Sequence, residues 1–213
     1  FLNQYTPIDL SSIKYFNHQH TEIFGHKCIL SRTGYSGERG YEIFAAADVI
    51  GDIWDNIVGQ GKDLGLMPCS FTSLDKVRVE ATLLFYGYDM TTEHTPWEVG
   101  LGWTINRNKN DFRGKEAVFA SEGKERFKMV GLEIDHNDAL AGGEKLKKDN
   151  EEVGVVNSPV WSHRMKKSLA LAHIRPDLIE PSTKINVSSD DINCSATVKQ
   201  TPFYDSKKTK THH

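Results

Sequence analysis

The chain has 213 residues, a formal net charge of −3 and 38% hydrophobic residues, the balance of an ordinary water-soluble globular chain. It carries no clustered basic face of the kind nucleic acid requires and no apolar run long enough to span a membrane as a helix, which excludes both as expected partners. Its three cysteines, Cys28, Cys69 and Cys194, are odd in number and scattered, so a reducing, cytoplasmic compartment fits better than a disulfide framework or a zinc site.

Two strand-like runs, Lys27–Ser31 and Tyr41–Ala45, flank a segment with glycines at 34, 37 and 40. Glycine tolerates positive φ and close backbone approach, so Gly37 and Gly40 read as a sharp, irregular strand-to-strand turn. Alternation along Tyr41-Glu-Ile-Phe44 places Glu42 on the face opposite Ile43. A carboxylate held there suits a ligand with paired N–H donors, although a glycine-rich hairpin on its own is most often only a hairpin. No phosphate-loop spacing is present, and a strand rather than a helix follows the turn.

A helix is expected over Ala47–Gly61. Its stripe of Val49, Ile50, Ile53, Trp54, Ile57 and Val58 is directed at the core, and Gly61 serves as its C-cap. A second helix is expected around Ser73–Leu84, with Ser70 or Ser73 as N-cap. Asp75 and Arg78 then stand three apart on one face: a pair worth a few tenths of a kcal/mol at the surface, roughly, and more if buried. From about Lys124 the pattern changes to short alternating runs at Phe127–Ile134, Val153–Asn157, Leu169–Ile174, Lys184–Val187 and Ile192–Gln200. Such punctuated strands predict a small antiparallel barrel or sandwich. The basic run Lys207–Lys210 reads as a solvated tail. His18, His20 and His26 lack an ordered carboxylate or cysteine to complete a metal set, so no metal is expected. No Ser–His–Asp or Cys–His arrangement is legible from spacing.

Several blocks then carry a resemblance. Ser31–Phe44 is similar to the "RTGYTGEDGFEI" block of the glycine cleavage T-protein family, the tetrahydrofolate-dependent aminomethyltransferases. Leu64–Cys69 and Asp75–Ala81 resemble "GLxPCG…RDxLRLEAG". Phe85–Asp89 through Thr95–Trp103 resembles "LYGHDLDExxTPLEAGLGW", Asp111–Ala117 resembles "DFIGKEAL", and Thr201–Asp205 resembles "LPFYDP". These blocks follow one order over nearly the whole chain.

The resemblance implies an α+β architecture: residues 1–124 as the C-terminal portion of a folate-binding domain, 125–205 as a C-terminal antiparallel β-barrel, and 206–213 as a tail. Further sequence is expected upstream, including the aspartate with which the family activates the aminomethyl group, so no catalytic residue is expected within this chain. Tetrahydrofolate is the implied cofactor. Glu42 would bind the pterin, Tyr35 would pack against the folate's aromatic portion, and Trp103 and Glu98 would lie near the cofactor channel. Arg39 departs from the aspartate the family commonly has there; its charge suits either the folate glutamate tail or a surface salt bridge. Leu74 stands where the family usually places an arginine that also holds the folate. Loss of that charge-assisted bond is worth about 1.5–3 kcal/mol. His163 and Arg164 lie in Trp161–Lys167, which departs from the family's "YSPTLGKN". The leading implied activity is transfer of a one-carbon unit to folate from a small-molecule or carrier-bound donor, with release of ammonia and a lipoyl carrier protein as partner. The alternatives are a folate-dependent demethylase acting on dimethylsulfoniopropionate or an N-methyl substrate, and a non-catalytic folate-binding protein.

Overall fold

The computed structural model describes residues 1–212, so the last position of the expected tail lies outside the described residues. The chain divides into two compact units, Phe1–Leu74 with the C-terminal residues from Lys207, and Asp75–Ser206.

The first unit is built on three antiparallel strands in the order β1-β2-β3: β1 (His18–Ile23), β2 (His26–Ser31) and β3 (Glu42–Ala45). Phe24 and Gly25, both at positive φ, make the two-residue β1–β2 turn. Phe24 tolerates its φ of 50° while its ring packs 4.3 Å from Tyr5. The period of two then sorts the sheet. Ile23, Cys28 and Leu30 face a core shared with Leu10, Ile13 and Ile53, while His18, His20, Glu22, Lys27, Glu42 and Phe44 are exposed on the other face.

Helix α1 (Ile50–Gly61) contributes Ile53 to that core. The expected stripe is wider than the buried one, because Trp54 is 55% exposed and Ile50 is exposed as well. The expected C-cap at Gly61 also moves. The chain continues through a 3-10 turn over Lys62–Leu64 and stops at Gly65, whose φ of 78° is left-handed. Gly61 is glycine for another reason: a Cβ there would meet Leu66 at 2.8 Å. The C-terminal segment is more than a solvated tail. Lys207, Lys208 and Lys210 are exposed, but a short helical turn, Thr209–His212, lets Thr211 Oγ1 donate to Gly37 O at 2.7 Å.

The second unit is a closed antiparallel barrel of six strands in the order β4-β7-β6-β5-β8-β9. They are β4 (Lys128–Ile134), β5 (Lys145–Lys148), β6 (Glu151–Ser162), β7 (Lys167–Ile174), β8 (Lys184–Ser188) and β9 (Asn193–Lys199). Closure by β4 against β9 leaves no open sheet edge. Leu132, Leu146, Val156, Ala172, Ile185 and Val198 are among the side chains that fill the core. A second cluster, Leu169 and Leu171 of β7 with Val160 of β6, packs against Val79. Strand β7 is therefore buried on both faces, which is why it reads as a near-continuous apolar run.

Two features of the barrel are absent from the sequence expectation. Strand β5 is Lys-Leu-Lys-Lys with Leu146 alone facing inward, and it is held by both neighbours, β6 and β8. Strand β6 continues through Pro159 to Ser162 because a bulge at Asn157 interrupts its pairing with β7. The Asn157 side-chain carbonyl accepts from His173 N at 2.8 Å, standing in for the missing ladder acceptor.

Helix α2 (Phe71–Glu80) begins with Ser70 Oγ accepting from Ser73 N at 3.2 Å. It ends earlier than expected, in a Schellman turn: Thr82 N bonds to Val79 O, Leu83 N bonds to Arg78 O, and Thr82 takes a φ of 57°. Threonine is an unusual residue for that conformation, and its buried Oγ1 has no hydrogen-bond partner. Relief of the left-handed strain and of the orphaned hydroxyl outweighs glycine's entropic cost. Thr82→Gly is therefore expected to raise stability by about 1 kcal/mol, read as a higher urea midpoint with an unchanged m-value.

Candidate functional site

Glu42 opens β3 directly after the glycine loop, paired in register with Ser31 of β2. Thr33 Oγ1 donates to the Glu42 carboxylate and lies 2.9 Å from Ser31 Oγ, so the side chain is oriented from below while remaining exposed. Gly37, with a φ of 71°, supplies the left-handed residue that the loop needs. Register places Phe44 opposite Ile29, and Ile29 opposite His20, on the same face as Glu42. A carboxylate thus borders a row with an apolar centre, and Phe44 is 56% exposed. Phe44 was missed in the sequence reading; the signal for it was simple alternation two residues beyond Glu42.

The other expected contacts are distributed differently. Tyr35 is half-buried within the loop. Arg39 Nη2 donates to Tyr41 Oη at 3.1 Å, and that hydroxyl donates to Leu10 O at 3.2 Å, so the guanidinium helps fasten the loop to the N-terminal segment. Trp103 belongs to the second unit, on a 3-10 turn over Gly102–Thr104, and is 77% exposed. Its neighbour Trp97 takes the inward place, with Nε1 donating to Val118 O at 2.8 Å.

Glu98 is engaged structurally. One oxygen accepts from Arg126 Nε at 2.7 Å and the other from Thr95 N at 2.8 Å, which leaves the carboxylate buried and pinning the loop before the barrel. The Arg126 hydrogen bond, aided by the Thr95 and Arg126 backbone N–H groups, pulls its pKa down to about 2 against the desolvation of burial.

The segment carrying Tyr86 and Tyr88 is fixed by a buried ion pair that spacing alone left undecided. Arg78 is 2% exposed; its Nε donates to Asp75 at 2.7 Å, Nη1 to Asp89 at 2.5 Å and Nη2 to Ser158 Oγ at 2.8 Å. Asp89 Oδ2 also accepts from Phe85 N at 2.8 Å, and Asp89 O lies 2.7 Å from His173 Nε2. This clamp leaves Tyr86 and Tyr88 61% and 66% exposed. Burial depresses the pKa of His173, whose ring stacks 4.1 Å from Phe127. Among the described residues, no group of three or more His, Cys, Asp or Glu is placed to hold a metal ion, and no helix is long and apolar enough to cross a membrane.

Two outcomes follow from these ionic contacts. Arg78→Met strands the buried Asp89 charge and is expected to cost about 3–5 kcal/mol in urea unfolding. Adding Asp89→Asn removes that charge and is expected to recover part of the loss. Because the pKa of Glu98 lies below its ordinary 4.5, the carboxylate's contribution is complete above pH 4.5 and is lost as the pH falls toward 2. Stability measured over that window is expected to fall less steeply in Glu98→Gln.

Comparison with known proteins places this geometry. The family described as GCVT N-terminal domain matches residues 1–109, and the glycine cleavage T-protein C-terminal barrel domain matches residues 128–205. The chain is 38% identical over 219 residues to the heme-dependent oxidative N-demethylase gamma subunit of Ectopseudomonas mendocina (strain ymp), covering 99% of this chain and 58% of that protein. It is 37% identical over 207 residues to an aminomethyltransferase of Geobacillus sp. (strain WCH70), covering 95% and 57%. The chain thus spans little more than half the length of these relatives. Its fold is similar to the crystal structure of glycine cleavage system aminomethyltransferase T from Bartonella henselae, with a TM-score of 0.85 and 21% identity over 93% of this chain and 55% of that one. With both domain families matched in order, the chain belongs to the glycine cleavage T-protein family.

Proposed function

We propose that this chain supplies the folate-binding and barrel portions of a tetrahydrofolate-dependent one-carbon transferase, with aminomethyl transfer and release of ammonia as the leading reaction. Residues 1–124 would belong to the folate-binding domain and 125–205 to the barrel, in a cytoplasmic enzyme served by a lipoyl carrier protein. The observation that carries the reading is Glu42, an exposed, pre-oriented carboxylate beside Ile29 and Phe44 of the next row on the same sheet face. A pterin has the matching chemistry: paired N–H donors for the carboxylate and a flat ring for Phe44 to cover.

Bound tetrahydrofolate would supply the nucleophilic nitrogen that accepts the one-carbon unit. The residues of this chain contribute binding and orientation, and no proton transfer is assigned to them. Glu42 anchors the ring, Tyr35 offers aromatic surface, and Arg39 offers positive charge at the loop.

A second reading, folate-dependent demethylation, is favoured by Leu74. That residue supplies no charge where the family usually has arginine, and a relative at 38% identity carries the name of an N-demethylase subunit. Glu42→Gln is expected to weaken tetrahydrofolate binding roughly ten- to a hundredfold by calorimetry, the loss of one charge-assisted pairing. Unchanged affinity would remove the folate reading. Product analysis separates the two reactions: methylene-tetrahydrofolate with ammonia for aminomethyl transfer, methyl-tetrahydrofolate for demethylation.

A further inference from the structure

On the wall of the barrel that faces α2, two nitrogen groups meet with no carboxylate between them. Lys76 Nζ of α2 lies 3.0 Å from His163 Nε2 of the β6–β7 turn. The neighbouring carboxylate is committed elsewhere. Glu80, one helical turn after Lys76, is buried; its Oε1 accepts from Ser162 Oγ at 2.6 Å and its Oε2 lies 3.5 Å from Arg164 Nε. Arg164 is itself stacked 3.8 Å over Tyr204. Among the described residues, neither Lys76 nor His163 has an acidic partner. His163 lies in Trp161–Lys167, which departs from the family's pattern, and Lys76 lies two residues after Leu74, which departs as well.

We infer that Lys76 and His163 are the two arms of a carboxylate-binding site. An ammonium that gives one N–H to the imidazole keeps two for a ligand. Once the imidazole takes a proton it becomes a second donor, and a carboxylate can accept one N–H from each. Charged and titratable groups next to the pair include Glu80 on α2 and Arg164 on the turn, which stacks over Tyr204 after β9; Glu80 opposes an anion. The carboxylate has two possible sources, a chain of γ-linked glutamates or an acidic segment of a partner protein.

The inference does not rest on Glu42, and its test leaves that position intact. The chain is titrated with tri-γ-glutamate and, separately, with an α-linked tri-glutamate peptide. Binding is followed by calorimetry and by the His163 ring signals in NMR. Saturable binding is expected, about tenfold weaker in both Lys76→Met and His163→Gln than in the unmodified chain. Binding to Lys62→Met, a control at another exposed lysine, is expected to be unchanged. Preference for the γ-linked ligand assigns a folate-type tail, preference for the α-linked peptide assigns an acidic protein segment, and equal binding supports carboxylate recognition itself. Non-saturable binding, or equal affinity in Lys76→Met and the unmodified chain when thermal unfolding shows both folded, overturns the inference.

Discussion

The second unit depends on one guanidinium. Arg78 leaves water almost completely, which is tolerable only because Asp75, Asp89, Ser158 and the Leu83 carbonyl meet its donors. The network joins three pieces distant in sequence: helix α2, the aromatic segment ending at Asp89, and the bulged strand β6. Its donors have directional requirements that apolar contacts lack, so it fixes one rotation of α2 on the barrel wall, where Val79 then packs against Val160, Leu169 and Leu171. Glu80 repeats the device two residues later through Ser162. Packing supplies much of the adhesion, and the buried charges supply its register.

How much of this was legible in the sequence depended on whether the deciding interaction was local. Strands β4, β8 and β9 announced themselves by alternation, and the α+β order with a terminal antiparallel barrel was readable from it. Strand β5 was invisible because three of its four residues are lysines; its pairing comes from neighbours on both sides. The second half of β6 was hidden by Pro159, since a proline argues against a central strand unless a bulge precedes it. The end of α2 was missed because threonine, not glycine, holds the left-handed position.

The candidate site shows the same division. Alternation gave Glu42 its exposed face correctly and would have given Phe44 as well. It could not show that Arg39 is turned toward Tyr41, or that Glu98 is engaged by Arg126, because both depend on contacts with residues distant in the chain or set by loop geometry. The Asp75–Arg78 spacing is identical for a weak surface pair and for a buried clamp. Only the position of Asp89 and Ser158 in space tells them apart.

The bulge at Asn157 carries one more meaning. Before it, Val156 points into the barrel core; after it, Ser158, Val160 and Ser162 point outward to Arg78, Val79 and Glu80. Were Asn157 paired regularly rather than bulged, Ser158 would inherit the inward phase of Val156. A single strand thus serves two clients in turn, lining the barrel with its first half and receiving the helix with its second. The bulge acts as a phase setting: the same sequence paired regularly through Asn157 would present Ser158, Val160 and Ser162 to the barrel interior and leave α2 facing the wrong side of the pleat.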